Sequence, residues 1–149
     1  MRKARRNGSE SVSAIDLAEY RPSEDEPYMS ERQLEYFRRK LFDWKSDILR
    51  DSQDTLDQLQ EDSFHLPDLT DRATSETEKA LELRTRDRQR KLISKIDAAV
   101  RRIETGEYGF CEESGEPIGI RRLEARPIAT LSLEAQERHE RAEKVHRDE

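Results

Sequence analysis

The chain has 149 residues, 42% of them charged and only 32% hydrophobic, with a net charge of −6. That apolar fraction is thin for one compact globule and points to long solvated helices, an extended tail, or both. The negative balance excludes duplex DNA held mainly through phosphates, one cysteine excludes an intramolecular disulfide framework, and no apolar run reaches the length of a secretory or membrane-spanning segment.

These properties predict an intracellular, cytoplasmic protein. Residues 1–28 are polar and uneven: "MRKARRNGSESVS" begins basic and turns serine-rich, and "YRPSEDEPY" is acidic with two prolines. This composition predicts a largely disordered segment with a short helix around Ser13–Tyr20. The basic start is read as solvated rather than as a nucleic-acid arm.

At Met29 the character changes. Ser30 with Gln33 has the spacing of a capping box, and Met29 with Leu34 that of a hydrophobic staple. Leu34, Phe37, Leu41, Trp44 and Ile48 then alternate at spacings of three and four, a heptad seam that continues weakly through Leu56 and Leu59. A first helix is predicted over 31–63, about 50 Å long at the standard rise. Pro67 breaks it. A second helix is predicted over 72–104, capped by Thr70 or Asp71, with late apolar positions Leu92, Ile96, Val100 and Ile103 and an end at Gly106. Two long helices joined by a short loop make an antiparallel coiled-coil hairpin over 29–106, with its tip at 64–73.

The hairpin is polarised in charge. Glu61–Glu78 carries six acids against Arg72 alone, whereas Arg84–Arg102 carries eight bases against Asp87 and Asp97. Helix-dipole compensation accounts for part of this. It does not require Asp68 and Asp71 together in one turn.

Residues 107–131 hold the densest apolar set in the chain: Tyr108, Phe110, Ile118, Ile120, Leu123, Ile128 and Leu131, punctuated by glycine and proline. They predict a small turn-rich knob with a short β-hairpin. Ser132 can cap a final helix over 132–149, with a modest apolar stripe at Leu131, Ala135, Ala142 and Val145. Within the knob, Cys111 and Ser114 are followed after a seventeen-residue gap by Ser132 and Ala135 at the same spacing. Cysteine at all four would be a strong zinc signature; as they stand, only Cys111 is a good ligand. Cys111, beside Phe110, reads as a small, half-buried knob residue first and a redox thiol second. His65, His139 and His146 are too scattered for a metal cluster, Trp44 at seam spacing reads as core, and no nucleophile–base pair or phosphate loop stands out.

The stretches "YGFCEESGEPIGIRRLEARP", "DLTDRAT" and "LELRTRDRQRKLISKI" together resemble the DksA family (DksA/TraR) of RNA polymerase secondary-channel transcription factors, over about residues 28–146. The resemblance implies a mainly α protein: a long antiparallel coiled-coil hairpin, a small degenerate zinc-finger-like knob and a C-terminal helix. It implies direct binding to RNA polymerase, entry of the hairpin tip into the secondary channel, and modulation of initiation with the alarmone ppGpp, without sequence-specific DNA contact. The family's tip pattern maps onto Asp68, Asp71 and Ala73, with Asp71 as the effector carboxylate or, more simply, a helix cap. Arg88 maps to a polymerase contact or a solvated charge. The family's ppGpp contacts map onto Leu92, Lys95 and Arg126; Lys95 and Arg126 read equally well as solvated charges, and a lysine of the family's last helix is Gln136 here. The family's zinc positions are Cys111, Ser114, Ser132 and Ala135, so this chain resembles a cysteine-poor member for which zinc is not expected. A monomer with no enzymatic activity follows. A structural coiled-coil adaptor, or a channel-entering factor that promotes transcript cleavage, remain the alternative readings.

Overall fold

The computed structural model describes residues 18–62 and 69–148, almost all of them helical or in tight turns. Among the described residues the main elements in chain order are the helices α1 (Glu31–Asp62), α2 (Leu69–Thr105), α3 (Ile120–Ala125) and α4 (Leu133–Asp148). The first is 32 residues long and the second 37. The chain divides into one unit formed by Met1–Leu41 with Ala99–Glu149, and a second formed by Phe42–Ala98.

The second unit is the paired stretch of α1 and α2. Lys45 meets Asp97 at 2.7 Å, and the Ser52 hydroxyl meets Gln89 Oε1 at 2.6 Å. As the number rises on α1 it falls on α2 by nearly as much, so the helices run antiparallel. Ile48 and Ile96 are buried on the seam. Tipward the seam turns polar: the Ser52–Gln89 bond occupies a position that leucine fills in a regular coiled coil, and Thr85 is exposed.

α2 begins at Leu69, three residues earlier than the capping pattern predicts. Thr70 and Asp71 therefore lie inside its first turn, where an acid still favours the positive helix end. The predicted helix around Ser13–Tyr20 falls mostly outside the described residues; Ala18 and Glu19 are helical.

In the first unit, Phe37, Leu41, Ala99, Tyr108, Ile120, Leu123 and Ala135 are buried, with Phe37, Leu41, Leu123 and Ala135 fully so. Residues 20–30 cross this core as a strap, an arrangement with no periodic signal in the sequence. Tyr20 is buried, its hydroxyl donates to Glu26 Oε2 at 2.7 Å, and the Arg32 guanidinium lies 4.0 Å over its ring. Burial, reinforced by Glu26, pushes the Tyr20 phenol up to about 12. The side chain of Gln33 is fully buried and satisfied at both ends. Its oxygen accepts from the Met29 amide at 2.7 Å and its nitrogen donates to the Ser23 carbonyl at 3.1 Å. Ser30 Oγ accepts from the Gln33 amide at 3.3 Å, so the predicted cap forms, with the return bond reaching Met29 instead of Ser30.

Candidate functional site

The knob is assembled around backbone bonds that a side chain closes. Cys111 and Glu116 are joined by a Cys111 N–H bond at 2.8 Å, and Ile118 N–H donates to the Gly109 carbonyl at 2.8 Å. Between them lies a single antiparallel bridge, Phe110 with Pro117; no strand forms among the described residues, because Pro117 removes a donor just where a hairpin would lengthen. The Tyr28 hydroxyl donates to the Gly109 carbonyl at 2.6 Å and accepts from the Gly119 amide at 3.0 Å, tying the two arms together. Its ring packs edge-on to Phe110, with centroids 5.5 Å apart. Gly109 has φ 89°, and a Cβ there would meet Met29 Sδ at 2.7 Å, so both conformation and space require glycine.

From α2, Arg102 holds the same module. Its guanidinium donates to the Phe110 carbonyl at 2.9 Å and the Glu107 carbonyl at 3.2 Å, and pairs with Glu112 at 2.7 Å. Tyr108 is buried and donates to the Pro127 carbonyl at 2.8 Å, and burial raises its pKa. α3, which periodicity alone overlooked, is a short helix whose buried pair Ile120 and Leu123 follows Gly119 at helical spacing. Lys40 on α1 fixes it, donating to the Glu124 carbonyl and to Glu124 Oε2, both at 2.9 Å.

The four zinc-spaced positions are brought together. Cys111 is buried, not half-buried as its neighbours suggest. Burial pushes its thiol up, but hydrogen bonds from the Ser114 hydroxyl and from the amides of Ser114, Ser132 and Glu113 outweigh it and hold the pKa down to about 6. Ser114 Oγ also accepts from the Glu116 amide at 3.3 Å. Ser132 Oγ accepts from the Ala135 amide at 3.2 Å and so caps α4 as predicted. Ala135 offers a fully buried methyl group and no donor atom. One thiol, two hydroxyls engaged with protein partners and a methyl do not fit a tetrahedral zinc. The apolar stripe predicted on α4 is confined to its start: Ala135 is buried and Leu131 half-buried, but Ala142 and Val145 are exposed because nothing packs on that end among the described residues.

Of the tip positions, Asp68 lies outside the described residues. Asp71 sits in the first turn of α2, with its side chain outside what is described, and Ala73 is exposed. Arg88, Leu92 and Lys95 fall at i, i+4 and i+7 on one flank of α2, exposed at both ends and half-buried at Leu92. Arg126, at the end of α3, is exposed and belongs to the other unit. Gln136 donates to Glu140 at 3.2 Å. Among the described residues, no helix is long and apolar enough to cross a membrane.

Two family profiles match the chain. The one described as DnaK suppressor protein DksA, N-terminal domain, spans residues 33–103, and the one described as prokaryotic dksA/traR C4-type zinc finger spans residues 106–141. A curated relative from Caulobacter vibrioides, an RNA polymerase-binding transcription factor DksA, is 66% identical over 135 residues, which is 91% of this chain and 95% of the relative. The protein of the same description from Escherichia coli K12 is 40% identical over 137 residues, covering 90% and 91%. The solved structure of transcription factor DksA2 from Pseudomonas aeruginosa superposes with a TM-score of 0.74 at 39% identity, covering 86% of this chain and 95% of that one.

Proposed function

Because the chain belongs to the DksA family of transcription factors, we propose that it binds RNA polymerase directly and modulates transcription initiation by inserting its hairpin tip into the secondary channel. The observation that carries this reading is the match of both family profiles, end to end, on a chain whose α1 and α2 pair antiparallel. The curated relatives are described as RNA polymerase-binding transcription factors, and that description supports a regulator without catalysis of its own.

In this reading Asp68, Asp71 and Ala73 form the effector tip. A carboxylate there acts on the polymerase's catalytic Mg²⁺ or its mobile catalytic loops, since carboxylate oxygens suit that hard cation. Arg88 contacts the polymerase, and Leu92, Lys95 and Arg126 contribute to a ppGpp site in which the two cations meet phosphate. The protein acts in the cytoplasm as a monomer. The knob folds without zinc, its Cys111 thiolate solvated by amides and a hydroxyl in the metal's place.

Asp71→Asn tests the mechanism. Affinity for core polymerase is retained while the effect on initiation at a responsive promoter is lost. Normal regulation by that variant would reduce Asp71 to a first-turn acid. Capture of core polymerase, competed by a channel-entering cleavage factor, tests the binding mode, and an adaptor without polymerase contact would fail it.

A further inference from the structure

In this highly charged chain, the second unit leaves one stripe of α1 uncharged. Phe42, Ser46, Leu49 and Gln53 recur at helical spacing and all are exposed. Phe42 is 59% exposed and Leu49 51%. The cations beside them are already matched within the unit, Lys45 by Asp97 and Arg50 by Asp47, both at 2.7 Å. The seam is elsewhere, at Ile48 and Ile96, so neither side chain is displaced core. Lys45 and Asp97 mark the side of the hairpin on which the stripe lies. Counting round α2 from Asp97, Leu83 stands on that same side, 64% exposed, whereas Arg88 and Lys95 stand on the opposite flank.

A second copy of the chain is a poor occupant. Three side chains of this size present on the order of 400 Å² in all, and a stable dimer buries about 1,200–2,000 Å². The stripe suits a small part of a larger interface. Resting on the function proposed above, the polymerase supplies one: a rod inside a pore meets wall on every flank, including the one away from Arg88. We propose that Phe42 and Leu49, continued by Leu83, are apolar anchors that pack against the polymerase on the flank of the hairpin opposite Arg88 and Lys95. A few side chains packed at the desolvated centre of a contact carry a disproportionate share of binding.

The test compares the intact protein with Phe42→Glu/Leu49→Glu and with the conservative Phe42→Leu/Leu49→Met, measuring affinity for core RNA polymerase and, for fold, far-ultraviolet circular dichroism and melting. The glutamate pair binds at least tenfold more weakly with helicity unchanged, and the conservative pair binds like the parent. If the glutamates disturb the helix, Phe42→Ser/Leu49→Ser is read instead, with the same tenfold loss expected. Parent-like binding by a folded charged or serine pair overturns the inference and leaves the proposed function standing. A parent that does not bind polymerase overturns both. A parent that sediments as a dimer, with the variant monomeric, assigns the stripe to a second copy and overturns the inference.

Discussion

Tyr28→Phe removes one oxygen and leaves the ring on Phe110. The lost hydroxyl serves two backbone groups, at 2.6 Å and 3.0 Å. They are not equivalent. The Gly109 carbonyl keeps a second donor, the Ile118 amide at 2.8 Å, so its loss costs about 0.5–1 kcal/mol. Among the described residues the Gly119 amide has no second acceptor, and a half-buried donor left unsatisfied costs about 1–2 kcal/mol. The sum is about 2 kcal/mol, directed at the junction where α3 begins. Equilibrium urea unfolding followed by near-ultraviolet circular dichroism measures the global effect, and an unchanged m-value shows that the exposed surface is the same. Amide exchange gives the local one: protection of Gly119 falls by about thirtyfold, the equivalent of that free energy. A loss below about 0.5 kcal/mol, with Gly119 as protected as before, would refute the view that this hydroxyl closes the knob.

Two further outcomes follow from the same unit. Arg102→Lys cannot reproduce a fork that reaches the Phe110 and Glu107 carbonyls and Glu112 at once, so it destabilises by about 1–2 kcal/mol in the same urea assay; equal stability would mean that charge alone matters there. Cys111 titrates with a midpoint near 6, read by ultraviolet thiolate absorbance, against an ordinary value of 9.0. Since the folded form lowers this pKa, the thiolate's contribution to stability is complete above about pH 9 and is lost as pH falls through 6. The melting temperature of the parent relative to Cys111→Ala therefore drops across that window, and a midpoint near 9 would show that the four hydrogen bonds do not hold a thiolate.

The long helices were legible because their signals are local. Phe37, Leu41 and Ile48 recur at seam spacing, and all three are buried. The strap over residues 20–30 was not legible, because Tyr20 and Tyr28 lie among prolines and acids and gain their partners from α1 and the knob, one of them 91 residues away. Composition describes what a segment can bury by itself and is silent on what another element offers it. The same limit hid α3, in which a single turn-length pair, Ile120 and Leu123, had to be told apart from loop residues. The start of α2 shifted for the opposite reason: Thr70 and Asp71 are good caps, but Leu69 extends the helix before them.

The outline of a zinc module without its ligands now has a physical account. Each replaced corner does separate work. Ser114 directs its hydroxyl at the remaining sulfur, Ser132 lends that sulfur its amide while its own hydroxyl caps α4, and Ala135 fills the last corner with a methyl group that is fully buried. A metal would draw four thiolates to one point and neutralise them. Here a single thiol is left, and hydrogen bonds from Ser114, Ser132 and Glu113 hold its pKa down to about 6. The closure a metal would enforce passes instead to residues outside the four corners: Tyr28 across the arms, Arg102 beneath Phe110, and Lys40 on Glu124. These ties come from the strap, α2 and α1. All three ties lie within the first unit.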